Sequence, residues 1–141
     1  MTLASTYTYR VLKSSWGVLI SITAAALIGQ KPGAGAVPLG QGVFLVDATP
    51  GEGLSESVME MLAMGLRPLS PEIASKVSER PAIVSVQEIR YNDCDFQLEG
   101  LAVAISAWAV AEFGLPEREI GVTFDREENR YVFDLPGIRG R

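Results

Sequence analysis

Side chains that could perform acid–base or nucleophilic chemistry lie close together at Asp93, Cys94, Asp95 and Glu99. Cys94 is a candidate nucleophile, because a thiol near a helix N-terminus can have a lowered pKa. The neighbouring carboxylates oppose this, since negative charge disfavours a thiolate. The alternative interpretation is a buried thiol beside an Asp95 that caps the helix. Asp93, Cys94 and Asp95 are therefore catalytic candidates, and Glu99 is a ligand-binding candidate.

Further candidates lie on the preceding predicted strand. Glu88 and Arg90 are spaced two residues apart, as are Val84 and Val86, and a strand has a period of two. All four side chains are therefore predicted to share one face. A charged pair on that face could line a cavity and position a ligand, or it could mark where the strand runs out past the core. Glu88 is a catalytic candidate and Arg90 a ligand-binding candidate.

Aromatic residues from distant parts of the chain could form a ligand pocket. They are Trp16, Tyr91, Trp108, Tyr131 and Phe133. Core packing is the alternative explanation for Trp108 and Phe133, because large aromatic side chains dominate protein cores. Trp16 and Tyr91 therefore remain as ligand-binding candidates.

The chain contains no histidine and only one cysteine. The missing imidazole removes Ser-His-Asp and Cys-His catalysis and His-ligated metals, and a single thiol removes all-cysteine metal sites. Acid–base chemistry would have to use Asp, Glu, Tyr, Lys or Cys94. We expect no metal and no cofactor.

Hydrophobic periodicity predicts the elements that position these residues. Alternation over 7–12 and again from Val18 to Ile28 predicts an antiparallel hairpin. The stretch from Gly29 to Gly42 is predicted to be a long loop, followed by a short central strand over 43–48.

Two helices follow, separated by a strand. The first is predicted over 54–66, capped by Ser55 and stopped by Gly65 and Pro68, with one turn of helix near 71–77. The strand covers 82–91. The second helix, from Asp95 to Phe113, is apolar nearly all round and is predicted to be buried on more than one side. A hairpin from Ile120 to Phe133 completes a single domain over residues 1–141.

Four consecutive segments together are similar to a known family. Gly42–Val46, Leu54–Gly65, Ala82–Tyr91 and Asp95–Gly114 resemble, in order and spacing, domain IV of bacterial elongation factor G. The resemblance implies the left-handed β-α-β arrangement of the ribosomal protein S5 domain 2-like group. The expected fold is an α+β two-layer sandwich, with two main helices on one face of a mostly antiparallel sheet.

The net charge of the chain indicates which kinds of partner it can bind. The chain has 12 Lys and Arg against 17 Asp and Glu, a net charge of −5. Nucleic-acid binding draws most of its affinity from neutralising phosphates, so we expect no nucleic acid. The mean hydropathy of +0.20 and the all-round apolar helix favour a homo-oligomer, because excess apolar surface commonly meets a partner.

The compartment is predicted from the lone cysteine and from the N-terminal region. One cysteine excludes an internal disulfide and favours a reducing cytoplasm. Arg10, Lys13 and the apolar run 16–28 before Ala34–Ala36 outline a secretory signal, but hydroxyl residues interrupt the run. It is also too short to span a bilayer, so we interpret it as a strand and expect no membrane association.

Three function classes remain open. The first is a stand-alone binding module with the translation-factor fold, which engages a protein or a small molecule. The second is a histidine-free enzyme for cyclisation or rearrangement of a small molecule, which could belong to specialised metabolism and in which shape and a few carboxylates suffice. The third is a ribosome or RNA binder. A positive surface stripe would favour the third class, and a closed apolar cavity with a buried carboxylate the second.

Overall fold

The computed structural model describes residues 3–135. In chain order the elements are β1 (Ser5–Leu12), β2 (Gly17–Ile28), β3 (Val37–Gly40), β4 (Val43–Asp47), α1 (Glu56–Leu66), α2 (Ser70–Lys76), β5 (Ala82–Tyr91), α3 (Gly100–Phe113), β6 (Val122–Asp125) and β7 (Arg130–Phe133). Within this part of the chain, no helix is long and apolar enough to cross a membrane.

The first five strands form one sheet in the order β1-β2-β5-β4-β3, and β6 and β7 form a separate two-stranded sheet. Neighbouring strands of the large sheet are antiparallel except β4 and β5, which are parallel and are connected through α1 and α2. The predicted α+β two-layer sandwich with a mostly antiparallel sheet is therefore confirmed.

The core lies between the helices and one face of the large sheet. Ile20, Ile22 and Val84 from the sheet and Leu62 and Ile105 from the helices have no exposed surface. Burying side chains of this size contributes roughly 1.5–3 kcal/mol each. The segment from Val18 to Ile28 is a strand, as predicted, and every second residue of it supplies this face.

The segment from Gly29 to Gly42, predicted as a loop, also contains β3. Val37 pairs with Leu45 and Pro38 with Phe44 in β4. Proline cannot donate a ladder hydrogen bond, and it is tolerated here because β3 is the edge strand of the sheet.

The predicted end of the first helix at residue 66 is confirmed, but Gly65 lies within the helix and does not stop it. Helix α1 continues to Leu66, and a 3-10 turn over Arg67–Leu69 leads into α2. A Cβ atom at Gly65 would clash with the carbonyl oxygen of Ala102 in α3. Glycine is therefore needed at this position because two helix backbones are in contact there.

Of the two predicted helix caps, only one is observed. The Oγ of Ser55 accepts a hydrogen bond from the Val58 amide at 3.2 Å at the start of α1. Asp95 does not cap α3, because it lies in a 3-10 turn over Asp93–Asp95 and the helix begins at Gly100. The intervening residues are held instead by hydrogen bonds to β7.

Candidate functional site

Strand β5 contains one more residue than the stretch of β2 that it pairs with. Ala24 pairs with Val86 and the adjacent Thr23 pairs with Glu88, so Gln87 has no partner in β2. An extra residue of this kind is a β-bulge, and it moves the following side chains to the opposite face. The predicted common face for 84, 86, 88 and 90 was therefore wrong.

Beyond the bulge, Ile89 takes the position on the helix side of the sheet. It pairs with the buried Ile22 and packs against the core. Glu88 and Arg90 are exposed on the outer face, away from the helices. A cavity of about 360 Å³ on this face is lined by Leu19, Ser21, Arg90, Tyr91 and Asn92.

Hydroxyl groups beside this outer cavity bond to one another. The hydroxyl oxygens of Thr6 and Thr23 are 2.7 Å apart, and those of Thr8 and Ser21 are 2.8 Å apart. Such cross-strand pairs stabilise a sheet by roughly 0.2–1 kcal/mol each. Because these hydroxyls already have partners, they are explained by sheet packing without a ligand.

The loop that enters α3 contains three of the catalytic candidates. Asp93 and Cys94 are exposed, so the alternative of a buried thiol was wrong, and Asp95 is half-buried. Tyr91 stacks on Phe96 with ring centroids 4.0 Å apart. Among residues 3–135, no three His, Cys, Asp or Glu side chains are grouped so that they could hold a metal ion.

Gln97 and Glu99 tie the start of α3 to β7. The side-chain amide of Gln97 donates to the Tyr131 carbonyl at 2.6 Å and accepts from the Tyr131 amide at 2.7 Å. Arg130 donates to Glu99 at 2.8 Å. Burial raises the pKa of Glu99, but hydrogen bonds from its own amide and from Gln97, together with the charge of Arg130, outweigh burial and lower it. These contacts give Glu99 a structural role at the start of α3, which explains the residue without a ligand.

Trp16 lies in an aromatic cluster that packs against the β6–β7 hairpin. Its ring centroid is 5.1 Å from that of Tyr131, and its indole N–H donates to Asn129 at 3.0 Å. The Tyr131 hydroxyl donates to the Trp16 carbonyl and accepts from the Lys13 amide, both at 2.7 Å. Burial, followed by the charges of nearby tyrosines, raises the pKa of Tyr9 to about 12 at the edge of this cluster. Trp16 therefore makes its contacts with other side chains of the protein.

A cavity with a volume of about 670 Å³ lies along α3. We call it the α3 groove. Gly114 ends α3 in the left-handed conformation with φ 64°, so the segment 115–120 can return beside the helix. The apolar lining residues are Ala107, Val110, Ala111, Leu115 and Ile120. The polar ones are Tyr7, Ser106, Glu117, Arg118 and Glu119.

Ser106 is the most deeply placed polar residue of the α3 groove. It keeps 3% of its surface exposed, and within residues 3–135 its hydroxyl has no hydrogen-bond partner. Every fully enclosed side-chain polar atom in this part of the chain does have a partner. The Ser106 hydroxyl is therefore reached from the groove. It also lines an adjoining cavity of about 180 Å³, so it lies where the two cavities meet.

The charged side chains that line the α3 groove leave it with an excess of negative charge. Arg118 forms an ion pair with Glu72 of α2, so its positive charge is already matched. Glu117 and Glu119 line the groove and are exposed at its rim. The groove thus combines an apolar wall, the hydroxyls of Ser106 and Tyr7, and an acidic rim.

Sequence reasoning identified none of the residues that line the α3 groove. One signal for it was present, because α3 was predicted to be apolar on both faces and such a helix needs cover on its second side. Small residues at Ala107 and Ala111 leave that side only partly filled.

Comparison with known proteins does not identify a family for this chain. No protein-family model matches the chain, and no curated protein is similar to it at a significant level.

Proposed function

We propose that this chain is a binding module that holds a small, largely apolar molecule in the α3 groove. The observation that carries the proposal is the Ser106 hydroxyl, which is almost fully buried, has no partner and opens into the groove. Ligand sites typically combine apolar walls with a few polar groups of this kind.

The groove favours binding over catalysis. A histidine-free enzyme would need a carboxylate enclosed with its substrate, where burial could shift its pKa toward neutrality. The carboxylates that line the α3 groove, Glu117 and Glu119, are exposed at the rim instead. The enzyme alternative therefore has less support from the geometry.

Titration with 1-hexanol tests the binding site. We expect amide chemical shifts to change along α3 from Ser106 to Ala111, in the segment 115–120 and at Tyr7. Ala111→Trp places a large ring in the groove and should reduce hexanol affinity at least about tenfold. Ala34→Trp, at an exposed loop position outside the groove, is the matched control. Shifts scattered over the surface, or full affinity in Ala111→Trp, would refute the proposal.

We also propose that the resemblance to elongation factor G domain IV is one of scaffold and does not extend to nucleic-acid binding. The observed order β4, α1, β5, α3 is the order on which the resemblance rests. At the entrance to α3, where the factor contacts the decoding site, this chain exposes Asp93 and half-exposes Asp95. Carboxylates repel phosphates, and the net charge of −5 slows the encounter further.

Co-sedimentation with ribosomes tests this part of the proposal. We expect no protein above background in the ribosome pellet at physiological salt. Salt-sensitive pelleting of the native chain would instead support the ribosome-binding alternative. It should then increase in the double variant Asp93→Asn and Asp95→Asn, which removes two charges that repel phosphates.

Self-association and a cytoplasmic location complete the proposal. Leu27, Phe44 and Val46 are half-buried on the sheet face opposite the helices, and pairing of this face between two copies would cover them. A light-scattering mass near the 15.2 kDa of one chain would refute the dimer.

The exposed thiol of Cys94 suits a reducing compartment, because exposed thiols oxidise readily elsewhere. Cell fractionation tests that location.

A further inference from the structure

The uncompensated charge at the α3 groove is negative. Glu117 and Glu119 line the groove, while the guanidinium of Arg118 between them is paired with Glu72. At the C-terminal end of α3, Glu112 accepts a hydrogen bond from Ser5 at 2.7 Å. The last carbonyl groups of a helix also carry partial negative charge, which adds to the field of these carboxylates.

The apolar wall and the acidic side chains line the same groove. Ser106 is its buried polar residue, and its hydroxyl has no partner among residues 3–135. Glu117 and Glu119 are exposed, and Glu119 also lines the adjoining cavity together with Ser106. A molecule that fits the groove must therefore have an apolar body against the wall and a positive group near the carboxylates.

We infer that the ligand of the α3 groove is a small amphipathic amine, with its hydrocarbon portion against Val110 and Ile120 and its ammonium group beside Glu117 and Glu119. This inference rests on the proposed binding function. The rim carboxylates select a cation over a neutral or anionic head group, because an exposed ion pair still provides modest attraction in water.

Three probes with the same hydrocarbon chain separate these roles: 1-hexylamine, 1-hexanol and hexanoate. We expect hexylamine to bind about threefold to tenfold more tightly than hexanol, which is the range that two exposed ion pairs provide. Hexanoate should bind most weakly. Raising the salt concentration from about 0.05 M to about 0.5 M should shrink the ratio between amine and alcohol, since exposed charges are screened.

The double variant Glu117→Gln and Glu119→Gln should lose the preference for hexylamine, so that the ratio between amine and alcohol affinity falls to about one. Glu127→Gln with Glu128→Gln, in the β6–β7 turn, changes the net charge equally and should keep that preference. Equal affinity for amine and alcohol in the native chain, or tighter binding of hexanoate, would overturn the inference while leaving the groove as a binding site. Absence of hexanol binding in the groove would instead refute the proposed function.

Discussion

Gly65 of α1 lies against the backbone carbonyl of Ala102 in α3, and no side chain fits between the two helices at this point. A Cβ atom at Gly65 would also lie 2.7 Å from a methyl carbon of Ile105. The crossing fixes where α3 lies on the sheet, and thereby where the α3 groove opens on its other side.

Gly65→Ala is expected to destabilise the protein although alanine is the better helix former. The helix-propensity gain is about 1 kcal/mol, whereas overpacking a tight contact costs about 1–3 kcal/mol or more. Here the obstacle is a backbone oxygen, which cannot rotate away, so we expect a net loss of about 2 kcal/mol in urea denaturation. Gly35→Ala is the control, because a Cβ there meets no atom within 4 Å. Equal stability of the two variants would contradict the close crossing.

The bulge at Gln87 predicts opposite effects for neighbouring residues. Ile89→Ala should lower the free energy of unfolding by about 2 kcal/mol, because Ile89 packs against the core. Arg90→Ala should change it by less than about 0.5 kcal/mol, since Arg90 is exposed on the outer face. Chemical denaturation of both variants measures the contrast. A larger loss for Arg90→Ala would place the charged residues on the core side.

Replacing the unpartnered serine should stabilise the empty protein. Ser106→Ala removes a nearly buried hydroxyl and improves helix propensity, so we expect a gain of about 1 kcal/mol in the free energy of unfolding. Ser75→Ala, on the exposed surface of α2, measures the propensity contribution alone. A loss of stability in Ser106→Ala would mean that the hydroxyl makes a hydrogen bond within the protein, and the sign of the change therefore decides the matter.

The stability of the protein should depend on pH through Asp47. Its carboxylate accepts hydrogen bonds from the Leu54 amide at 2.6 Å and from the Thr49 amide at 2.9 Å. Burial raises the pKa of Asp47, but these bonds and one from the Thr49 hydroxyl outweigh burial and lower it. A carboxyl with a lowered folded-state pKa stabilises the fold above its unfolded pKa, and this contribution is lost as the pH falls through the folded pKa.

We therefore expect the free energy of unfolding to decrease below about pH 4, the ordinary range of aspartate. Asp47→Asn should be less stable near neutrality and should show a shallower decrease in acid. The pKa of Glu99 is also lowered, so it contributes a slope of the same sign that the variant retains. Urea denaturation across this range, with the exposed Glu52→Gln as control, measures the difference. An unchanged slope in Asp47→Asn would contradict the assignment.

Local sequence patterns predicted those strands and helices in which buried and exposed residues follow one another at a regular period. Tyr7, Tyr9 and Val11 alternate with exposed residues, and β1 is found where this alternation places it. The bulge at Gln87 has no such signal, because it exists only relative to the pairing partner in β2. Gly65 resembles a helix stop, but the reason for glycine there is a helix much later in the chain.

The candidate site was harder to predict for the same reason. The groove is a gap between α3, the segment that follows it and β1, so no single stretch of sequence contains its pattern. Ser106 is one serine in an apolar helix, and only the packing around it shows that its hydroxyl lacks a partner. The clustered carboxylates and thiol near Asp93 had a conspicuous composition, but the structure leaves Asp93 and Cys94 exposed to solvent.

The β6–β7 hairpin is joined to the rest of the described fold mainly through side chains. The amide of Gln97 takes the place of a neighbouring strand for Tyr131, and the Tyr131 hydroxyl bridges backbone groups of Lys13 and Trp16. No backbone ladder links this hairpin to the five-stranded sheet among residues 3–135. The hairpin can therefore open while the ladder of the large sheet stays intact, and such partial opening requires less free energy than global unfolding. We therefore expect the hairpin to open before the large sheet does, once the contacts of Gln97 and Tyr131, the Arg130–Glu99 ion pair and the Trp16–Asn129 hydrogen bond are lost.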